Sequence, residues 1–480
     1  MQVDRNGANR IAGTGRPRSP RPAGSRAAPP SPAARRPAGP RDGAERAPRQ
    51  PAPAPRPPRR PRRGGPGRPL ARLRRSWDRP LTAYYVVLGT SLLIVMMGLV
   101  MVFSASQIQA LRQGLPATFY FRKQLVAALL GAVLMLIAAR TPVRLLRALT
   151  YPFLLASVVL LVLVQVPGVG VTVNGSTNWI PLVGPFMLQP SEIAKLALVL
   201  WGADLLARKG ERRLLVQWRH LLIPLVPGAM LICGLVLLGG DMGTVMILAA
   251  VLFALLWLAG APTRLFAGAI GIAAVLGALL IASAPHRTGR LTCVLATDPG
   301  PEDRCWQAVH GIYALASGGW FGSGLGASVE KWGELPEPHT DFIFAIAGEE
   351  LGLAGTLSIL GLFAALGYAG IRVAGRTEDP FVRYAAGGVT AWLMAQFVIN
   401  IGAVLGLLPI AGVPLPLFSY GGSALLPTMF AVGLLIAFAR SEPAARAALA
   451  MRRRPGGKGP AGSRWSSMRR RVARAPSGER

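Results

Sequence analysis

A run of about 20 apolar residues is the length that crosses a bilayer as one helix. Ten such runs follow one another here, at about 83–104, 123–139, 150–166, 188–207, 221–239, 243–261, 265–285, 341–371, 383–404 and 424–440. In hydrocarbon only helices and closed barrels satisfy their own backbone. The alternating segments of a barrel strand are not seen. The runs therefore predict an all-α, polytopic integral membrane protein with ten transmembrane helices.

Charge orients the chain. The net charge of +32 sits mostly at the ends: residues 1–79 carry 21 Arg against 4 acidic residues, and residues 440–480 carry 12 Lys/Arg against 2. Residues 1–80 are rich in Pro, Arg, Ala and Gly and cannot bury enough surface to fold, so they read as a disordered basic tail. Residues 441–480 read as a second tail, leaving 81–440 as the membrane domain. Tails of this kind are expected to sit near anionic lipid, each basic residue contributing about 1 kcal/mol there, rather than on nucleic acid. No apolar segment precedes the first run, so that run is expected to direct insertion.

Cytosolic loops carry the excess of Lys and Arg. With the N-terminus inside, the inner loops hold Arg140, Arg144, Arg147, Arg208, Lys209, Arg212, Arg213, Arg219, Arg264, Arg372, Arg376 and Arg383, while the outer loops 167–187 and 405–423 hold none. Arg112 and Arg122 in the first outer loop are outvoted. Both termini are expected to be cytosolic, with a large extracellular loop, 286–340, between helices 7 and 8.

On that assignment the polar clusters gather at the outer face. Met187–Lys195 reads MLQPSEIAK: Pro190 suits a first helical turn, Ser191 and Glu192 its positive end. Lys195 can pair with Glu192 at i+3, or can bind an anionic group such as a diphosphate; both readings are open. Asp241 in GGDMGT is a turn residue or a weak cation ligand. The glycines of ASGGWFGSGLGAS (316–328) follow no strand, which excludes a nucleotide loop. They permit turns and close approach to a ligand or a neighbouring helix. LPIAGVPLPLFSYGGS (408–423) is a stiff, half-buried loop expected to line a re-entrant cavity, with Gln396 and Asn400 just before it. Cys233 reads as a small buried residue. Cys293 and Cys305 flank a polar loop and are candidates for a disulfide, which would add about 3 kcal/mol.

The centre of the pattern is KWGELPEPHTDFIFAIAGEELGLAG (331–355). Pro336 and Pro338 place the helix start near Thr340, with Asp341 at the junction and Glu349 and Glu350 inside the apolar run, where carboxylates are costly. At about 100° per residue Glu349 lies roughly 80° round from Asp341, while Glu350 points away. The plain reading is local: Thr340 caps the helix and Asp341 favours its positive end by about 0.3–1 kcal/mol.

QPSE-x-x-K, D-x-GT, ASGGWFGSGLG, LPEPHTDFIFAIAGEELG and GLLPIAGVPLPLFSYGGS occur in this order over about residues 80–440. The chain resembles the SEDS (shape, elongation, division and sporulation) family of peptidoglycan glycosyltransferases. DRPLTAYYVVLGTSLLIVMMGLVMVFSAS and the basic tails look like its actinobacterial division (FtsW) branch rather than the elongation (RodA) branch. One departure is NGSTNWI, where Asn178 stands in place of the usual basic residue.

The resemblance implies that the protein polymerises lipid II at the outer face of the cytoplasmic membrane, at the division septum. A sugar hydroxyl would attack and undecaprenyl diphosphate would leave. It makes Asp341 the catalytic residue. It places Ser191, Glu192, Lys195, Gln307, His339, Thr340, Glu349, Asn400, Ser419, Tyr420, Gly421, Gly422 and Ser423 on the substrate-binding surface. It implies a class B penicillin-binding protein and other division proteins as partners. A divalent cation, magnesium or manganese, would act on diphosphate or carboxylates, with no ligand set located. Two rivals remain: a lipid II flippase, which would line both leaflets with polar residues, and a scaffold recruiting septal enzymes through its tails.

Overall fold

The computed structural model describes residues 79–173, 176–182, 187–271, 305–332 and 335–453. After Pro80 the chain enters α1 (Thr82–Arg112), then α2 (Phe119–Arg140) and α3 (Val143–Leu163). A small antiparallel sheet follows: β1 (Val171–Val173), β2 (Ser176–Pro181) and β3 (Met187–Leu188), with Thr172 opposite Thr177 and Ile180 opposite Leu188. Then come α4 (Pro190–Glu211), α5 (Trp218–Leu222), α6 (Leu225–Leu238) and α7 (Met242–Leu258). The chain continues with α8 (Trp306–Ser317), α9 (Ile343–Arg376), α10 (Pro380–Val404), α11 (Gly422–Ser441) and α12 (Pro443–Arg453).

The expectation of ten spans is corrected. Among the described residues seven helices are long and apolar enough to cross a membrane: Thr82–Arg112, Phe119–Arg140, Val143–Leu163, Arg219–Leu238, Ile343–Arg376, Pro380–Val404 and Gly422–Ser441. The run at 188–207 becomes α4, which carries Glu192, Lys195, Asp204, Arg208 and Lys209. It is packed by protein rather than lipid: every residue from Ser191 to Ala207 except Ile193 is buried. The run at 243–261 becomes α7, apolar but only 17 residues long. The run at 265–285 lies mostly outside the described residues.

α4 is the axis of the bundle. It packs against α3, α7 and α10, while α9 lies against α1 and α10, and α11 against α2. Small residues set the close contacts: a side chain on Gly98 of α1 would strike the backbone of Phe418, and one on Gly433 of α11 would strike Met135, as expected where helix association depends on close backbone approach. The apolar exterior of α2 and α3 (Leu129, Leu130, Val133, Leu155, Val159) is exposed, as a lipid-facing surface is. At the far end of α4, Asp204 is wholly buried and paired with Arg147 (3.0 Å) and Arg208 (2.7 Å).

α9 is broken. Gly352 has φ 67° and ψ −165°, a backbone region essentially restricted to glycine. The break frees helix backbone groups, and the glycine-rich loop takes them up. Ser323 and Gly324 donate their N–H groups to the carbonyls of Glu349 and Glu350, while Leu353 and Ala354 donate to the carbonyls of Gly319 and Trp320. The expected close approach of this loop to a neighbouring helix is what the structure has.

Candidate active site

Four segments meet at one end of the bundle, each at or just before a helix N-terminus. Gln189 precedes α4; its N–H donates to Ser423 Oγ of α11 (2.7 Å), and its side chain donates to Asp241 (3.1 Å). Asp241 caps α7 by accepting from Thr244 N–H (2.8 Å) and also accepts from Ser191 Oγ (3.3 Å). Asp341 stands two residues before α9, and Asn400 Nδ2 donates to its carbonyl (2.7 Å) and to that of Val413 (2.8 Å). Tyr420 N–H donates to the carbonyl of His339 (3.0 Å). Helix N-termini carry partial positive charge and favour anions, and α4, α7, α9 and α11 present theirs together here.

The loop 408–421 is held by side chains from the helices around it. Gln124 of α2 donates to Ser419 O (3.0 Å) and accepts from Gly421 N–H (3.1 Å). Gln396 donates to Pro414 O (2.8 Å), and Ser419 Oγ accepts from Leu415 N–H (2.8 Å). Tyr120 closes one side, its ring 4.9 Å from His339 and 5.3 Å from Tyr420. His339 is buried with Nδ1 unpaired; burial pushes it down to about 4, against the upward pull of Glu337, so it is neutral at physiological pH.

Asp341 is partly buried and shares a small pocket with Asn400, Ile410, Gly412 and Val413. Burial, and after it the charges of Glu337 and Asp241, push its carboxyl up from 3.8 to about 7. Of the local reading the Thr340 cap is not seen, while Asp341 does stand at the positive end of α9. The residue at the α9 N-cap is Phe342, with no side-chain cap, and Thr340 Oγ1 instead donates to Glu337 Oε2 (2.8 Å).

The other expected residues divide. Lys195 is fully buried; its Nζ donates to Glu192 Oε1 (2.7 Å) and Gln396 Oε1 (3.1 Å) and sits 5.3 Å over the Trp392 ring. Of the two open readings the ion pair is the one this geometry carries, and Glu192 keeps Oε2 without a partner. Glu349 does not join Asp341: its carboxylate accepts from Ser328 Oγ (2.6 Å) and Val329 N–H (2.7 Å). Glu350 accepts from Ser104 Oγ (2.6 Å) and Lys331 Nζ (2.9 Å). Gln307 donates to Pro336 O (3.2 Å), steadying the approach to His339. Gly421, at φ 153°, turns the loop into α11, whose first residues are Gly422 and Ser423.

Asn178 is buried against Gly239, and Thr177 N–H donates to the Gly239 carbonyl (3.1 Å). This segment joins the sheet to the α6–α7 turn. Cys305 is disulfide-bonded; Cys293, its expected partner, lies outside the described residues. Cys233 is free. Among the described residues no group of three or more His, Cys, Asp or Glu is placed to hold a metal ion.

Sequence reasoning missed Tyr120, Gln124 and the Ser104–Glu350–Lys331 network. Gln124 was findable, as an amide near the start of an apolar run. Ser104 meets Glu350 and Lys331 across 246 and 227 positions, and Tyr120 reaches His339 and Tyr420 across similar distances in the chain. Nothing local announces such contacts.

The sequence model of the FtsW/RodA/SpoVE family, described as cell cycle protein, matches residues 84–443. The chain is 40% identical over 385 residues to a probable peptidoglycan glycosyltransferase FtsW of Mycobacterium tuberculosis, covering 80% of this chain and 73% of that one. It is 38% identical over 355 residues to stage V sporulation protein E of Bacillus subtilis, covering 73% and 95%. A solved chain described under "Structural coordination of polymerization and crosslinking by a peptidoglycan synthase complex" superposes with a TM-score of 0.61 at 28% identity, over 74% of this chain and 96% of that one. The rod shape determining protein RodA of Thermus thermophilus superposes with 0.53 at 28% identity, over 75% and 97%. With its helices gathered round a buried α4 and its polar motifs meeting at one end of the bundle, this chain belongs to the FtsW/RodA/SpoVE family.

Proposed function

We propose that the chain is a peptidoglycan glycosyltransferase of the cytoplasmic membrane that polymerises lipid II, with Asp341 as its general base. The observation that carries the assignment is Asp341 itself: a carboxylate with no capping duty, in a small pocket where helix N-termini converge. A hydroxyl of the acceptor sugar gives its proton to Asp341 as its oxygen bonds to the anomeric carbon of the donor sugar. The bond from that carbon to the diphosphate breaks, and the leaving undecaprenyl diphosphate takes the electron pair. A base poised near neutrality suits such a transfer. The growing charge on the diphosphate is favoured by the positive ends of α4, α7 and α11. Lys195, already committed to Glu192 and Gln396, organises this surface from below. The gathering of polar groups at one end of the bundle supports a polymerase over a flippase.

The likeness to a chain from a peptidoglycan synthase complex supports a penicillin-binding transpeptidase as partner. Asp341→Asn keeps the shape and loses the base. Purified protein of this variant should insert and fold normally and make no glycan from lipid II. Wild-type polymerisation by folded Asp341→Asn protein would refute the assignment.

A further inference from the structure

Beside the break in α9 lies a cavity of about 400 Å³, walled by α8, both halves of α9 and the end of α10. Among the described residues that line it, Thr356 alone has a polar side chain, and its hydroxyl already donates to the Leu353 carbonyl (3.0 Å). A buried water needs roughly two to four polar partners, and the side chains here offer none to spare. What fits is therefore apolar. The space is of ligand size, since small-molecule pockets run from about 300 to 1,000 Å³. It does not suit a helix, because one turn, about 10–12 Å across, displaces roughly 400–600 Å³ by itself. A single hydrocarbon chain does fit.

The mouth of the cavity lies at the edge of the bilayer. Leu353, Leu357 and Leu405 line it and are also exposed, so it opens on the lipid-facing side. From Leu353 the second half of α9 runs to Ile371, which is exposed as well. That length is about 27 Å at about 1.5 Å per residue, close to the ~30 Å of the hydrocarbon core. Gly352 thus marks the boundary, at the end of the bundle where Asp341 stands. The loop that caps the break carries Trp320 and Phe321, 73% and 85% exposed, and Ala354 N–H donates to the Trp320 carbonyl (3.1 Å). Exposed aromatic rings at this level are those of an interfacial belt. They continue the lipid-facing surface of α9, so what covers the mouth is the membrane.

The cavity is also a neighbour of the candidate active site. Phe342 and Asn400 line the Asp341 pocket, while Phe344 and Ile401, one or two residues further on, line the cavity. We propose that the cavity receives the undecaprenyl chain of a lipid-linked substrate whose sugar is presented to Asp341. The chain enters from the leaflet between Leu353, Leu357 and Leu405, and lies against Phe344, Gly348 and Leu360 beneath the Trp320–Phe321 loop. The proposal rests on the glycosyltransferase reading above. The sugars react while the chain stays in the membrane, and a cavity at the hydrocarbon edge beside Asp341 meets that demand. A chain held alike before and during the reaction adds binding without adding rate, so the cavity acts on KM rather than on kcat.

The test uses purified full-length protein in proteoliposomes. Lipid II carrying a photoreactive diazirine in its prenyl chain is crosslinked, and the adducts are mapped by mass spectrometry. They should fall on residues 315–319 and 353–360, and unlabelled lipid II should suppress them where an equal amount of phosphatidylglycerol does not. In a second arm, Leu360→Trp and Ala316→Phe fill the cavity from opposite walls. Each should raise KM for lipid II on the order of tenfold, with kcat little changed. Adducts confined to other helices would overturn the proposal. Suppression by phosphatidylglycerol as strong as by lipid II would overturn it too, and would make this a general acyl-chain pocket. An absence of adducts would do the same, with another stretch of this chain covering the mouth. A fall in kcat at unchanged KM in the filled variants would show that the lining only supports α9. The crosslinks are read on the wild type, so they decide even where a variant fails to fold. Failure of the wild type to polymerise unlabelled lipid II would instead refute the glycosyltransferase reading.

Discussion

Replacing Glu337 by Gln should move the pH dependence of polymerisation toward acid. Asp341 stands at about 7 because burial, then the charges of Glu337 and Asp241, disfavour its ionised form. A base acts only when unprotonated, so the wild-type rate should rise through that value. With a midpoint near 7, about one tenth of the carboxyls are ionised at pH 6 and about nine tenths at pH 8, roughly a tenfold gain in rate. Glu337→Gln removes one like charge and keeps an oxygen that can accept from Thr340 Oγ1. The folded pKa of Asp341 then falls. Well below the midpoint, the ionised fraction grows about tenfold for every pH unit by which the midpoint drops. The gain is therefore largest at the acid end of the range and nearly gone at pH 8.

The assay is the initial rate of lipid II polymerisation in proteoliposomes between pH 5.5 and 8.5 (about a unit and a half either side of the midpoint). Stability gives an independent readout of the same group. Its folded pKa lies above its unfolded one, so the folded chain holds the proton more tightly. Stability from Asp341 is highest below about pH 4 and falls as pH rises to about 7. Asp341→Asn should therefore unfold at higher temperature than wild type at pH 8, though inactive. A wild-type rate that is flat from pH 6 to 8, or an alkaline shift in Glu337→Gln, would refute the reasoning.

Three further outcomes follow from the buried pairs and the helix break. Lys195→Met strands Glu192 and should cost about 3–5 kcal/mol of stability, whereas Lys195→Met with Glu192→Gln should recover most of it; thermal melts of both decide, and equal stability of the two would exclude the ion pair as Lys195's main role. Lys331→Met should likewise strand Glu350 and loosen residues 319–332, read as faster amide exchange there, with Glu350→Gln restoring protection in the double variant; unchanged exchange in the single variant would show that the pair does not hold the loop. Gly352→Ala should cost at least about 1–3 kcal/mol, since its backbone conformation excludes a Cβ and the loop backbone at Gly322 occupies the space; a variant as stable as wild type in a denaturation series would show that α9 can straighten.

The all-helical membrane class was legible because hydrocarbon imposes a simple rule on composition, and the apolar runs obey it. The count was not legible, because that rule concerns helices that touch lipid. α4 is surrounded by protein and so carries Glu192, Lys195 and Asp204 along its length, which lowers its apolarity as a span while marking it as the axis. The small sheet was invisible for another reason: β1 and β3 have three and two residues, too short for a period to register. Asp341 and its loop companions could be read as residues of interest from their place beside apolar runs. Their partners could not, since Gln124 meets Ser419 and Gly421 across almost 300 positions.

The broken helix α9 shows how the two kinds of information join. From the sequence, the run at about 341–371 looks like one long span, and the glycines of 318–326 look like a separate loop. Each is unsatisfied without the other: the break at Gly352 leaves carbonyls and N–H groups that hydrocarbon cannot solvate, and the loop has glycines small enough to reach them. Ser323, Gly324, Leu353 and Ala354 close four such bonds. Glu349 and Glu350, next to the break, fasten the loop through Ser328, Val329 and Lys331. The intramembrane carboxylates, marked in the sequence by their cost in an apolar run, thus build the support of the site. Asp341, two residues before the first half of α9, is left as the carboxylate free to act, beside a helix end that the loop holds in place.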